Sequence, residues 1–282
     1  MNIRAQDPFR IRDHVAEFDN IVASLRTRSA ATRARLRFET VRYGPSQDET
    51  LDIFFPRHLS KPAPVHIFVH GGYWRMFSKD DYSYIADTVT SIGAIAVVID
   101  YALMPRVRMM TLIDQVRAAT DWVMENIASR GGDPSALTVS GHSAGAHLAS
   151  WLFDEPETAS RFRVKAALLL GGIYDLAPLR HSFLQDEIHL TDEEVKRWTP
   201  MDRSFAPVVD CAILVGEQET HPFHDQAMRF QRHLVQLGAR ASLTVLKGAD
   251  HMSSVLDLGA PETEAGLALT KLVQGTQRAS SG

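Results

Sequence analysis

Hydrophobic and polar positions along the chain change rhythm at Arg37. Before it, Ile11, Val15, Phe18, Val22 and Leu25 recur at three- and four-residue steps, which predicts an amphipathic helix from Phe9 to Leu36. Its second half is rich in arginine (Arg26, Arg28, Arg33, Arg35, Arg37) and reads as a solvated connector. After Arg37 come short β-branched and aromatic runs, FETVRYG, LDIFFP and then Val65 to His70. Further continuous apolar runs follow at Ala94–Asp100, Ala136–Ser140, Val164–Leu170, Cys211–Val215 and Ala241–Leu246. Runs without alternation suit strands covered on both faces, and helical patterns lie between them at Asp80–Ile92, Leu112–Ser129, Ala144–Phe153, Pro222–Leu237 and Glu262–Val273. The expectation is an α/β fold with a mostly parallel, doubly wound sheet. Residues 1–37 form an N-terminal helix and connector, 38–275 the main domain, and 276–282 a frayed tail. Between Asp175 and Val208 the strand rhythm stops, so residues 176–208 are expected to form a small helical cap, with a T-x-x-E capping box at Thr191 and Glu194.

Composition narrows the function. With 282 residues, 45% of them hydrophobic, the chain can bury a large core. Thirty Lys and Arg against 34 Asp and Glu give a net charge of -4, which offers no basic field for nucleic acid or an anionic membrane. One cysteine, Cys211, forbids an internal disulfide and fits a reducing cytoplasm. No run has the length of a signal sequence core or a membrane span. The expected partner is a small-molecule substrate, with a homodimer left open.

The chemistry centres on Gly141-His142-Ser143-Ala144-Gly145, a G-x-S-x-G between the strand ALTVS and the helical run AHLASWLF. A serine on a sharp strand-to-helix turn needs small neighbours, because bulk at Gly141 or Gly145 would strike the backbone beside the turn. The helix start also supplies N–H groups to a developing oxyanion. His70-Gly71-Gly72-Tyr73-Trp74 follows the strand VHIFVH; the glycines let the main chain approach substrate, so Gly71, Gly72 and Ala144 are the expected oxyanion donors. His70 itself reads as a structural histidine. Tyr73 and Trp74 are candidates for aromatic surface beside an acyl group. A serine hydroxyl needs a base, and of the twelve histidines only His251 lies beyond the last strand. The acid that orients it should follow the strand CAILV, where Glu217 and Glu219 compete on even terms. Asp175 and Asp250 read as loop-shaping residues. No metal or organic cofactor is required.

Taken together, HGGYW, SKDD, GHSAGAHLAS, GGIYDLAPL, VGEQETHPFHDQ and GADH resemble the kynurenine formamidase (arylformamidase) family of α/β-hydrolases over roughly residues 65 to 255. The resemblance implies the α/β-hydrolase fold and a Ser143–Glu219–His251 triad. The family's G-x-x-D-S-P-E-F, matched to Gly216 onward, puts the acid on Glu219 rather than Glu217. The chain departs in having Glu where the family usually has Asp, and Met252 where Phe commonly follows the histidine. The implied activity is cleavage of a formyl or acetyl group from an aryl amide or ester, with N-formylkynurenine or a related N-formyl aryl amine as substrate. Carboxylesterase action on small acyl esters is the rival, and a non-catalytic ligand-binding protein the distant one.

Overall fold

The computed structural model describes residues 7–60, 62–155 and 161–279. Eight strands form one sheet: β1 (Phe38–Arg42), β2 (Thr50–Phe54), β3 (Ala63–Val69), β4 (Ile95–Ile99), β5 (Gly132–His142), β6 (Val164–Leu170), β7 (Asp210–Gly216) and β8 (Ala241–Leu246). Their order is β1-β2-β4-β3-β5-β6-β7-β8. β1 and β2 are antiparallel to their neighbours and the rest are parallel. β3 and β4 are buried at every position, as expected for strands sandwiched between helices. Strand order reverses between β3 and β5, so their carboxyl ends open the crevice where ligands bind in such sheets.

The helices are α1 (Phe18–Arg35), α2 (Lys79–Tyr82), α3 (Ile85–Ser91), α4 (Met109–Asn126), α5 (Ala144–Ser150), α6 (Gln185–Ile188), α7 (Asp192–Trp198), α8 (His221–Gln236), α9 (His251–Leu258) and α10 (Glu264–Ala279). α4 buries Met109, Leu112, Ile113, Val116, Ala119 and Val123, a single stripe of helical period. α8 carries Pro222 in its first turn, where a missing N–H costs nothing, and buries Phe223, Ala227, Phe230 and Leu234. Among the described residues no helix is long and apolar enough to cross a membrane.

Three expectations are corrected. The N-terminal helix begins at Phe18, not Phe9: residues 11–13 form one 3-10 turn in a segment that leaves the helix axis, although Ile11 and Val15 are buried as the stripe required. The arginine-rich half is no solvated connector. It is the docking face of α1, where Arg28 donates to Leu256 O at 2.8 Å and Gly259 O at 2.7 Å, Arg33 pairs with the fully buried Asp52, and Arg35 pairs with Asp87 at 2.7 Å. At the other end, α10 runs through Ala279, past the expected start of the tail, and residues 280–282 lie outside the described residues.

The cap lies between β6 and β7, with α6 and α7 flanked by 3-10 turns at Ala177–His181 and Pro200–Asp202. Its capping box is formed: the Glu194 N–H donates to Thr191 Oγ1 and the Thr191 N–H donates to Glu194 Oε2, both at 3.1 Å. Arg108 from the start of α4 ties the cap down by donating to Glu194 Oε1 at 3.0 Å and to Ile188 O at 3.0 Å.

Candidate active site

Ser143 sits between β5 and α5 with φ 55° and ψ -119°, a conformation outside the usual range for a side-chain-bearing residue. Its neighbours explain how the turn survives. A Cβ on Gly141 would come within 2.2 Å of Gly145 O, and one on Gly145 within 2.1 Å of Val69 O, so only glycine fits at either place. The Ser143 N–H donates to Leu170 O at 2.8 Å, pinning the turn to the end of β6. The strain is over-determined by close backbone packing, as the spacing of the motif anticipated.

His251 opens α9 behind the N-cap Asp250, whose carboxylate accepts from the N–H groups of Met252 at 2.8 Å and Ser253 at 2.7 Å. That cap sets where the helix begins and so where the imidazole lies. His251 Nδ1 is 2.6 Å from Glu219 Oε2, both side chains being buried. The other carboxylate oxygen accepts the Gly216 N–H at 2.9 Å, and the Glu219 N–H donates to Gly216 O at 3.1 Å. Glu217 points elsewhere and accepts from Gly248 N–H at 2.8 Å on an exposed loop. With a carboxylate facing Nδ1, the proton of a neutral imidazole resides there and Nε2 keeps its lone pair. The Ser143 hydroxyl makes no hydrogen bond among the described residues and lines the same cavity as His251.

Two further rings fix the imidazole. Phe223 lies 4.6 Å from it on one side, centroid to centroid, and His142 lies 4.6 Å away on another. His142 Nε2–H donates to His251 O at 2.9 Å, and burial, with His251 beside it, holds the His142 pKa well below the ordinary histidine value. It is therefore neutral and adds no charge that would oppose a His251 imidazolium.

After β3, the His70 Nδ1–H donates to Gly71 O at 2.9 Å, while the ring stacks on Tyr101 at 4.2 Å. His70 is thus a loop-shaping residue, as expected. Because a trans peptide points its C=O and N–H oppositely, the bond to Gly71 O turns the Gly72 N–H away from the His70 ring. The N–H groups of Gly71, Gly72 and Ala144 have no acceptor among the described residues. A Cβ on Gly71 would fall 2.8 Å from His142 O and 3.3 Å from Ser143 Cβ, so glycine there lets this loop lie directly against the serine turn.

Tyr73, Ser143 and His251 line one cavity of about 190 Å³, together with Phe77, Phe183 and Met252. A larger open groove, about 1030 Å³, lies at the opposite ends of β6–β8 near Lys165 and Asp210, away from the serine. Tyr73 is almost fully buried, its hydroxyl donating to Phe9 O and its ring meeting Phe183 edge-on at 5.8 Å. Trp74 is a correction. It is fully buried, packs edge-on against His147 at 5.1 Å, and does not line the cavity, so it offers substrate no surface. Tyr73 and Trp74 both have positive φ, 50° and 59°, which sends their side chains away from the directions of an extended loop. Of the cap aromatics, Phe183 reaches the cavity, whereas Trp198 packs on Trp151 at 5.0 Å.

Two further features shape the site. Gly171, directly after β6, has φ 52°, and a Cβ there would stand 3.0 Å from Glu219 Oε1 and 3.1 Å from His251 Nδ1, so this glycine makes room for the buried pair. The Gly171-Gly172 doublet after a strand was the available signal. The second is the segment from Asp7 to Asp13, whose Arg10, Ile11, Arg12 and Asp13 line the cavity. Its apolar spacing resembled a helix and carried no cue to the site.

A family model described as alpha/beta hydrolase fold matches residues 66–254. The chain is similar to kynurenine formamidase of Danio rerio, 29% identical over 87% of this chain and 85% of that one. It is also similar to esterase LipQ of Mycobacterium tuberculosis, 37% identical over 48% of this chain and 35% of that one. Among solved structures, esterase LipW of Mycobacterium marinum superposes with a TM-score of 0.73 at 20% identity, over 97% of this chain and 92% of that one, a likeness of fold.

Proposed function

The chain belongs to the α/β-hydrolase family, and we propose that it is a serine hydrolase that removes a short acyl group from an aryl amide or ester, acting as an arylformamidase on N-formylkynurenine or a related N-formyl aryl amine. The observation that carries the reading is the buried His251–Glu219 pair, 2.6 Å between Nδ1 and Oε2, with His251 lining the same cavity as a serine held on a strained turn.

In this reading Ser143 Oγ attacks the carbonyl carbon while His251 Nε2 takes the hydroxyl proton. The carbonyl oxygen gains the electron pair and is held by the N–H groups of Gly71, Gly72 and Ala144, donors that have no acceptor among the described residues. His251 then gives its proton to the leaving nitrogen or oxygen as the bond to carbon breaks. Water attacks the acyl-enzyme with His251 again as base, releasing formate or acetate and restoring Ser143. Glu219 keeps the Nδ1–H tautomer and stabilises the imidazolium. Tyr73 supports the preference for a short acyl group, since its ring fills space beside the two glycines and its hydroxyl is tied to Phe9. A longer chain would have to displace it, and overpacking a formed pocket costs about 1 to 3 kcal/mol.

Carboxylesterase action on small acyl esters is the second reading, favoured by the similarity to esterase LipQ. One experiment separates them: kcat/KM on N-formylkynurenine beside a p-nitrophenyl acyl-chain series. Formamide turnover comparable with the acetyl ester supports the arylformamidase; ester cleavage without formamide hydrolysis leaves the esterase. Mass spectrometry after a fluorophosphonate probe should find the label on Ser143, and active protein labelled elsewhere would remove the mechanism altogether.

A further inference from the structure

We propose that residues 7–15 are a strap that sets the size limit of the substrate, with Ile11 as the side chain that meets it. The inference rests on the serine hydrolase reading above and adds a wall that the family match, which begins at residue 66, does not include. The strap is fastened to three parts of the site. From the loop that carries Glu219, the Thr220 hydroxyl donates to Pro8 O at 2.7 Å. From the loop after β3, the Tyr73 hydroxyl donates to Phe9 O. From the cap, the Phe183 N–H donates to the Asp7 carboxylate at 2.5 Å, and the same carboxylate accepts the Phe9 N–H at 2.9 Å.

One acidic side chain thus both folds the strap and docks it. The Phe9 ring meets Phe223 at 6.0 Å, and Phe223 in turn lies against His251, so the strap is coupled to the base by a single ring. A surface segment held only by its own turns would yield to a bulky ligand. Fastened at three separate places, this one presents Ile11, 6% exposed, as a fixed apolar face of the cavity that holds Ser143 and His251. Loosening any one fastening should therefore relax selectivity without touching the reacting atoms.

The test uses full-length wild type, Ile11→Ala, Ile11→Val and Thr220→Val. kcat and KM are measured on phenyl acetate, butanoate and hexanoate, and on phenyl against 1-naphthyl acetate. Ile11→Ala should improve kcat/KM for the bulky members relative to phenyl acetate by roughly tenfold or more in the series whose group meets Ile11, mostly through KM. Ile11→Val should fall between. Thr220→Val, whose side chain lies outside the cavity, should shift the same ratio in the same direction by less while retaining turnover of phenyl acetate. A purely structural role would lower all substrates together and reduce Tm with the ratio unmoved; that outcome overturns the proposal, as does an unmoved ratio in both series at unchanged Tm. If Ile11→Ala does not fold, the other two variants decide. Fluorophosphonate labelling of Ser143 separates the failures: label with an unmoved ratio sinks the strap alone, whereas inactive, unlabelled wild type sinks the hydrolase reading and the strap with it.

Discussion

Replacing Glu219 tests the catalytic assignment and the local energetics at once. Its carboxylate is fully buried and has two partners, His251 Nδ1 at 2.6 Å and the Gly216 N–H at 2.9 Å. Glu219→Ala leaves two buried donors unpaired, at about 1–3 kcal/mol each, so stability should fall by about 2–6 kcal/mol. A domain of ordinary stability, about 5–15 kcal/mol, survives that at 25 °C with a lower Tm. Removing a triad acid costs about 10⁴ in kcat, equivalent to about 5.5 kcal/mol of transition-state stabilisation. Glu219→Gln separates the two effects. It keeps the volume and an oxygen for the Gly216 N–H, restoring much of the stability, but an amide N–H directed at Nδ1 favours the tautomer in which Nε2 cannot accept the serine proton. It should therefore melt near wild type and remain almost as inactive as alanine. Glu217→Ala, which removes only the bond to Gly248 N–H, should change kcat by less than about tenfold. Stopped-flow acylation with p-nitrophenyl acetate and calorimetric Tm provide the readouts. Retention of kcat within tenfold in Glu219→Ala, beside a thousandfold loss in Glu217→Ala, would refute the reasoning.

Gly171→Ala places a Cβ 3.0 Å from Glu219 Oε1 at a backbone with φ 52°, so the buried pair must shift; kcat should fall roughly ten- to a hundredfold, and wild-type kinetics would show the glycine to be dispensable. Arg28→Met removes two charge-assisted bonds to the carbonyls of Leu256 and Gly259 at the end of α9, and urea unfolding should report a loss of about 2–4 kcal/mol, against no change if α1 docks by apolar contact alone. His66, His142 and His147 are buried, and burial lowers their pKa values, to about 3 for His66 and about 4 for His147. Folded values below the unfolded one mean that unfolding takes up protons: the stability they contribute is complete above about pH 6.5 and is lost as pH falls, by about 2 kcal/mol each for His66 and His147 at pH 5, with His142 acting in the same direction. Urea titrations between pH 8 and pH 5 should show that decline, and a flat profile would contradict neutral burial.

The strand runs were legible because burial on both faces leaves few polar positions, Lys165 at the exposed start of β6 being one: residues 95–99, 164–170 and 211–215 all lie within observed strands. The serine turn was legible because its sterics are local, each glycine answering a backbone atom within a few residues or on the adjoining strand. What residue spacing left open or misplaced depended on turns and contacts that spacing does not encode. Glu217 and Glu219 are alike by spacing, and the choice is made by a turn that returns the Glu219 carboxylate to the Gly216 N–H and toward His251. The direction of Trp74 follows from two consecutive non-glycine residues at positive φ, which no propensity announces. The docking of α1 through arginines to Asp52, Asp87 and the end of α9 looked like solvated charge, because its partners lie on other elements.

A division within the site follows from the same physics. Ser143, Glu219 and His251 each come shortly after a strand of one sheet, so the sheet's register fixes their relative positions and chain order alone could nominate them. Much of the cavity wall comes from the strap, the loop after β3 and the cap, segments that lie outside the sheet and whose places are set by side-chain bonds such as Thr220 to Pro8, Tyr73 to Phe9 and Arg108 to Glu194. A sheet can carry the proposed reacting groups unchanged while such bonds vary. Chemistry is therefore readable from the order of elements, and substrate choice only from the side chains that hold the walls in place.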